Sequence, residues 1–209
     1  MAAAAPGHYP ESVARDLELI RIVDAAMAEA ARRSGSWLAC RPGCAQCCIG
    51  PFAITPLDAA RLRRGLAELE LREPDRAARV RSRAAEAVSR LERDYPGDTL
   101  ARVLAEDDAA VNDPCPALDA ETRTCDLYAA RPVTCRTFGP AVSFGGDALA
   151  VCELCYQGAS DEQIAASRVE VDPEDLEGRL VAELGGGETI VAYALQPTGN
   201  TPGRSPAST

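Results

Sequence analysis

The feature that most constrains this chain is the stretch CRPGCAQCC at residues 40–48, which places four cysteines within nine positions. Five more cysteines follow between positions 115 and 155, so the chain carries nine thiols. A lone cysteine is often only a small buried hydrophobe, but this crowded loop contains little else that is apolar. Thiolate is a soft ligand that suits Zn²⁺ and iron–sulfur clusters, so the loop indicates a metal site.

The spacing of the cysteines supports this interpretation. A CxxC turn can direct two sulfurs at one ion while backbone N–H groups support the thiolates. We therefore predict that two cysteine blocks converge and that all nine thiols are candidate metal ligands, with Cys44, Cys47, Cys48, Cys115, Cys125 and Cys135 at the centre. The full set is Cys40, Cys44, Cys47 and Cys48 in the first block, and Cys115, Cys125, Cys135, Cys152 and Cys155 in the second.

Roles other than metal binding are possible for the cysteines, and the sequence disfavours most of them. Cys152 or Cys155 could be simple buried hydrophobes. Disulfides are disfavoured by the odd count and by the strain of a bridge between adjacent cysteines. Redox catalysis by CxxC usually sits in a thioredoxin-like α/β pattern, which we do not find. The x3, x2 spacing at 40–47 and the GGGE at 185–188 match radical-SAM motifs, but a mainly helical chain lacks the required βα-barrel.

The amino-acid composition limits which metal ligands and which partners are possible. The single histidine, His8, removes catalytic triads and HExxH zinc proteases, so metal ligands must be mostly thiolates. All 22 basic residues are arginine and the net charge is −10. An acidic chain cannot neutralise phosphates well, so we expect no nucleic-acid partner.

The chain start lacks a basic n-region followed by an apolar segment, and no window is apolar enough for a membrane span. We therefore expect a cytoplasmic, bacterial protein without membrane contact, where thiols stay reduced. For domain organisation we expect a flexible start at 1–10, one cysteine-cluster domain at 11–195 and a disordered tail at 196–209.

The predicted fold is mainly α with small irregular β-hairpins, in which helices frame a cysteine-rich metal-binding centre. Helices are predicted at 12–34, from Thr55, from Pro74 to just before Pro96, at 99–110, 160–168 and 173–184. The segment 188–195 fits either a strand or a helix, and we favour a helix. Hairpins are predicted within 115–128 and around Gly145-Gly146. The first helix should bury a stripe of Val13, Leu17, Ile20, Met27 and Ala31, and the charged faces of 61–94 should be solvated surface.

Three sequence elements together resemble a known family. They are the cysteine block at 40–48, the CPAL at 115–118, and the order Cys125, Tyr128, Arg131-Pro132, Cys135-Arg136. On these residues the chain resembles the YkgJ-type cysteine-cluster proteins, a bacterial family described as a zinc- or iron-chelating (CxxCxxCC) domain. The resemblance covers about 40–155.

The resemblance implies metal binding by clustered cysteines, with Zn²⁺ or iron, including an iron–sulfur cluster, as the cofactor. Tyr128, Arg131 and Arg136 are then candidates to pack around the site or hydrogen-bond to its ligands. A turn or helix start accounts equally well for Arg131-Pro132. One alternative function is a metal-dependent enzyme, by analogy with flagellin lysine N-methylases that carry a related cluster. Another is a zinc-dependent protein-interaction module.

Overall fold

A computed structural model of the chain describes residues 9–106 and 109–197. His8, most of the predicted flexible start and the tail from 198 onward lie outside the described residues. The chain divides into two compact units. The first unit comprises Met1–Cys47, Pro56–Asp58 and Arg131–Gly187, and the second comprises Cys48–Thr55, Ala59–Ala130 and Glu188–Thr209. The single-domain expectation for 11–195 remains a prediction.

The first unit is organised around one long helix. Helix α1 (Tyr9–Ser34) contacts α5 (Val133–Thr137), α6 (Asp161–Ser167) and α7 (Leu176–Leu184). A three-stranded sheet completes the unit in the order β4 (Asp147–Ala148), β3 (Val142–Phe144), β5 (Val169–Glu170). The core of this unit contains Leu19, Val23, Val142, Val171 and Leu180.

The second unit is a helical group with one hairpin. It contains most of α2 (Pro56–Arg72), together with α3 (Pro74–Asp94), α4 (Thr99–Ala105) and α8 (Val191–Ala194). Strands β1 (Leu118–Asp119) and β2 (Thr124–Cys125) pair antiparallel, with Leu118 opposite Cys125. The predicted fold class, mainly α with small β elements, is therefore confirmed.

Helix ends with local capping signals lie where the sequence placed them. The Asp98 side chain accepts from the Ala101 N–H and begins α4, and Ser160 and Gln163 form a capping box at the start of α6. Helix α4 was predicted to reach position 110, but it ends at Ala105. Positions 107–108 lie outside the described residues. Helix α7 begins at Leu176 rather than 173, after a turn in which Asp172 accepts from the Glu177 N–H.

The predicted apolar stripe of α1 was wrong at Leu17. Leu17 is 51% exposed, whereas Leu19, Val23 and Ala30 are fully buried. The buried residues of α1, namely Asp16, Leu19, Val23, Ala30 and Ser34, recur at spacings of three, four and seven, so they form one stripe that is rotated from the predicted one. The predicted hairpin at Gly145-Gly146 is present, but sequence analysis missed β5, which pairs parallel with β3.

Candidate metal centre

All nine cysteines lie within the described residues, and all are reduced thiols. They divide between the two units. The first unit holds Cys40, Cys44, Cys47, Cys135, Cys152 and Cys155, and the second holds Cys48, Cys115 and Cys125. Each unit therefore has its own set of thiols.

In the first unit, four thiols from the two ends of the cysteine-rich region come together. The Cys40 thiol hydrogen-bonds with the Cys155 thiol and interacts electrostatically with those of Cys44 and Cys152. Cys152 interacts in the same way with Cys155 and Cys44. We call this group, Cys40, Cys44, Cys152 and Cys155, the four-thiol cluster. Cys152 and Cys155 are buried, as a purely apolar role would require, but both also contact other cluster thiols.

Backbone N–H groups are directed at the sulfurs of the cluster. The Ala39 N–H donates to the Cys155 Sγ at 3.4 Å, and the Leu154 N–H donates to the Cys152 sulfur. Between these two cysteines the chain forms a turn, in which the Cys155 N–H donates to the Cys152 carbonyl at 2.8 Å. Such N–H donors favour the anionic thiolate over the thiol, since they stabilise its charge. The CxxC segment therefore has the support that a metal-bound thiolate needs.

Gly139 forms one wall of the cluster. A Cβ at this position would lie only 2.8 Å from the Cys40 Sγ, and the glycine has a φ of +122°. Its carbonyl accepts the Cys152 N–H at 3.3 Å, so the same residue touches both halves of the cluster. Only glycine satisfies both the close approach and the backbone conformation.

Tyr156 anchors the segment that follows Cys155. Its ring is buried and its backbone has a φ of +56°, which is uncommon for a residue other than glycine. The Ser34 hydroxyl donates to the Ala30 carbonyl, so the Tyr156 hydroxyl, 2.6 Å from Ser34, must be the donor in that pair. The Tyr156 oxygen also accepts the Ala141 N–H at 3.0 Å. These contacts hold Cys155 in place relative to the end of α1.

Cys152 and Cys155 lie in apolar surroundings, whereas Cys44 is half-buried and the residue Cys40 is exposed overall. Cys152, Cys155 and Tyr156 pack with Ala141 and with the partly buried Trp37, among other apolar side chains. Burial, and then the neighbouring Cys155 thiol, raises the pKa of Cys40 to about 12 from an ordinary value near 9. Burial likewise raises the pKa of Cys152. The Cys40 and Cys152 thiols therefore hold their protons at neutral pH, and a bound ion would displace those protons.

The three cysteines of the second unit lie in and near the β1–β2 hairpin and the segment hydrogen-bonded to it. The Cys115 N–H donates to the Cys48 carbonyl at 2.7 Å, which brings the end of the first cysteine block beside the second. Cys125 is the last residue of β2, Cys115 lies three residues before β1, and both pack against the helical core of this unit. All three thiols are half-buried.

The remaining predicted residues lie around α5 and just before it. Cys135 is in α5, whose first N–H, that of Val133, donates to the buried Asp58 carboxylate at 3.0 Å. The buried Arg136 donates to the Arg131 carbonyl at 3.2 Å and to the Asp24 carboxylate at 2.7 Å. Tyr128 of the second unit is 63% exposed. The roles proposed for Tyr128, Arg131 and Arg136 at a metal site stay predictions.

The four thiols of the cluster are donors of the type that zinc and iron bind, but they do not have the geometry of a metal-coordinating set. Within residues 9–106 and 109–197, no three cysteine, histidine, aspartate or glutamate side chains are arranged as a ready metal site. Within the cluster, the Cys40 and Cys155 thiols hydrogen-bond with each other. A bound ion would displace thiol protons to solvent, so that metal–sulfur bonds replace S–H contacts, and four soft donors are the number that zinc and iron take.

Sequence analysis missed several residues that support the thiols. Gly139 and Tyr156 were not singled out, and neither were Arg76, Arg83 and Asp126 of the second unit, described below. The GP after Phe138 and the tyrosine directly after the CxxC pair were the available signals, but both features are common in loops that support no site.

The comparisons with known proteins agree with the chemistry of the cluster. A family model named CxxCxxCC, described as "Putative zinc- or iron-chelating domain", matches residues 39–156, which include all nine cysteines. No curated protein and no solved structure matches the chain. Among the described residues, every helix is too short or too polar to cross a membrane.

Proposed function

The chain belongs to the CxxCxxCC family of zinc- or iron-chelating domains, and we propose that its four-thiol cluster is the site at which the chain chelates the ion. The observation that carries this proposal is the meeting of four thiols from two distant segments, Cys40 with Cys44 and Cys152 with Cys155. The N–H donors to sulfur and the wall formed by Gly139 support it. Four thiolates without an open position correspond to a closed, structural site.

We propose a second role for the thiols of the second unit. The Cys115 backbone is hydrogen-bonded to that of Cys48, and Cys125 lies in the strand paired with Leu118, three residues after Cys115; three thiolates would leave room for a further ligand. This set would hold its ion less completely than the four-thiol cluster. Cys47 and Cys135 stay predicted ligands without an assigned ion. A cytoplasmic location, where such thiols remain reduced, is part of the proposal.

The identity of the ion is open to direct measurement. The full chain is purified without oxygen, and its zinc, iron and sulfide contents are measured together with its visible spectrum. Thiolate-bound iron gives a brown protein with broad absorption near roughly 400 nm, whereas zinc gives a colourless one. A protein that contains neither metal, and that takes up neither Zn²⁺ nor Co²⁺ when these are added, would overturn the proposed function.

The cluster itself is tested by one substitution and its matched control. Cys152→Ser removes a donor from the four-thiol cluster, and we expect it to lower the metal content by about one ion per chain, the content of one closed four-thiolate site. Val151→Ala removes packing from the same apolar surroundings without removing a donor. We expect its metal content to equal that of the wild type. Equal metal loss in both variants would show that folding, not ligation, was affected.

A further inference from the structure

A buried carboxylate in the second unit is held by two arginines. The Asp126 side chain is only 1% exposed. One of its oxygens accepts from the Arg76 Nε at 2.5 Å, and the other accepts from the Arg83 Nη2. Both arginines lie on α3, two helical turns apart, so they project from the same face of that helix. We call Asp126, Arg76 and Arg83 the carboxylate clamp.

The clamp joins the two arms of the hairpin beside its cysteines. Arg83 donates from Nη2 to Asp126, the residue directly after Cys125. The same guanidinium donates from Nε to the carbonyl of Pro116, the residue directly after Cys115, at 2.9 Å. A single side chain therefore fixes both cysteine-bearing positions to α3. Sequence analysis took the charged faces of 61–94 as solvated surface, which does not hold for Arg76 and Arg83.

Backbone bonds make the hairpin stiff between these two anchor points. The Asp126 N–H donates to the Ala117 carbonyl at 2.8 Å, and the Leu118 N–H donates to the Cys115 carbonyl at 2.9 Å. At the tip, the Asp119 carboxylate accepts from both the N–H and the hydroxyl of Thr122, each at 2.8 Å. The separation and direction of the Cys115 and Cys125 backbones are thus set before any ion arrives.

Stability alone accounts poorly for this arrangement. A buried ion pair often contributes no more than well-packed apolar residues of similar size, since both charges lose their hydration. What a guanidinium adds is direction, because its planar fork fixes the partners on both of its edges. Directional support immediately beside ligands is what a metal site requires, since ligands must be held close to their productive positions.

We infer that Arg83 and Asp126 are positioning residues, which orient the thiolates of Cys115 and Cys125 toward an ion bound in the second unit. This inference rests on the proposed second role of Cys48, Cys115 and Cys125. Neither residue contacts the ion in this scheme. Arg76 holds the other carboxylate oxygen and keeps Asp126 from turning away from Arg83.

The test uses the full chain carrying Cys152→Ser, so that the four-thiol cluster is disabled and the second unit supplies the signal. Co²⁺ affinity is measured anaerobically by competition with a chelator, through the sulfur-to-cobalt charge-transfer band. We expect Arg83→Met and Asp126→Asn to weaken Co²⁺ binding about 10- to 100-fold, the usual effect of losing a group that orients ligands. The band should also lose intensity, because fewer thiolates reach the ion.

Arg81→Met is the matched control. Arg81 lies on the same helix and pairs with Glu70 at 2.6 Å, but both side chains are well exposed. We expect its Co²⁺ affinity and spectrum to be unchanged. Arg83→Lys keeps the charge opposite Asp126 and loses the two-edged fork, so it should remain folded and still show a weaker, altered cobalt band.

Two results would overturn the inference. One is a set of Arg83 and Asp126 variants with lower melting temperatures but unchanged Co²⁺ affinity and spectrum, which would leave the clamp a purely structural device. The other is a Cys152→Ser protein that binds no Co²⁺ while the wild type does. That second result would leave the four-thiol cluster and the proposed function intact, whereas failure of the wild type itself to bind metal would remove both.

Discussion

The two units support their thiols by different means. In the first unit, Cys152 and Cys155 of the four-thiol cluster are buried among apolar side chains, and support comes from backbone N–H groups, a glycine and a buried tyrosine. In the second, the thiols are half-buried, and the residues beside them are held by the ionic carboxylate clamp. Cysteine ligands are thus supported by close packing and N–H donors in one unit and by ion pairs in the other.

This difference in support predicts how easily each unit would lose its ion. Burial of Cys152 and Cys155 excludes water from that half of the four-thiol cluster and leaves the charge of these thiolates to be neutralised by the ion itself, which favours permanent occupancy. A partly exposed site with ionic support costs less to empty, since water can reach the freed thiols. We therefore expect the first unit to depend on its ion for stability more than the second unit does.

The largest expected effect is that of metal removal. A strong chelator should lower the melting temperature of the wild type, because metal binding and folding free energies are coupled. The Cys152→Ser variant should already melt at the lower temperature and show only a small further change with chelator. Melting curves followed by circular dichroism measure this. A Cys115→Ser variant that loses more stability than Cys152→Ser would reverse the comparison between the units.

Gly139→Ala should produce the next largest effect. The new Cβ would meet the Cys40 sulfur at 2.8 Å in a backbone conformation that alanine adopts poorly. We expect a loss of about 1–3 kcal/mol of unfolding free energy from backbone strain, together with weaker metal binding. The control is Gly146→Ala, which has a φ of +87° and nothing within 4 Å of the new Cβ. That variant should lose stability while keeping its metal, and equal metal affinity in the two variants would contradict a role for Gly139 at the cluster.

Tyr156→Phe should have a moderate effect on stability. The substitution leaves the buried Ala141 N–H and the Ser34 hydroxyl without their shared partner, which typically costs about 1–3 kcal/mol. Chemical denaturation of the metal-loaded protein measures the change. In a cycle with Ser34→Ala, the double variant should lose less than the sum of the single losses, because both remove the same hydrogen bond. Strict additivity would show that the pair does not act as a unit.

The smallest expected effect concerns the hairpin tip in the second unit. Hydrogen bonds from the Thr122 N–H and hydroxyl lower the pKa of Asp119. Since the folded value lies below the unfolded one, this contribution is present above the ordinary aspartate pKa of about 3.9 and is lost as the pH falls through the lower, folded value. An NMR titration of the Thr122 amide should show a midpoint below about 3.9. Thr122→Val removes the hydroxyl donor and should move the midpoint upward, and an unmoved midpoint would show that the side-chain bond does not lower this pKa.

Local signals in the sequence predicted local structure well. The Asp98 cap and the Ser160–Gln163 capping box join residues three apart, so their partners are visible in the sequence itself. The apolar residues at 62, 66 and 69 lie on one face of α2 and are buried as expected. By contrast, Leu17 was misplaced because the buried stripe of α1 includes the polar Asp16 and Ser34, which a pattern of apolar residues alone does not identify.

The candidate site was predictable in kind. Clustered cysteines without available histidine indicated thiolate ligation, and the matched family agrees with that chemistry. The placement of Cys44 with the central cysteines stays a prediction, and the structure adds its interactions with Cys40 and Cys152. These interactions join remote segments, so the sequence alone does not reveal them. The clamp was missed for a similar reason, since an arginine on an amphipathic helix looks solvated until its buried partner is known.

The sequence distance across the four-thiol cluster has a consequence for how the protein is made. Ala39 and Cys155, which share an N–H to sulfur bond, are 116 positions apart. A ribosome adding about 5–20 residues per second needs roughly 6–23 s to extend the chain over that distance. During this time the newly made Cys40 and Cys44 lack Cys152 and Cys155, their partners in the four-thiol cluster. Loading of this cluster must therefore await late synthesis or follow release, and any metal delivered earlier meets only half of its binding site.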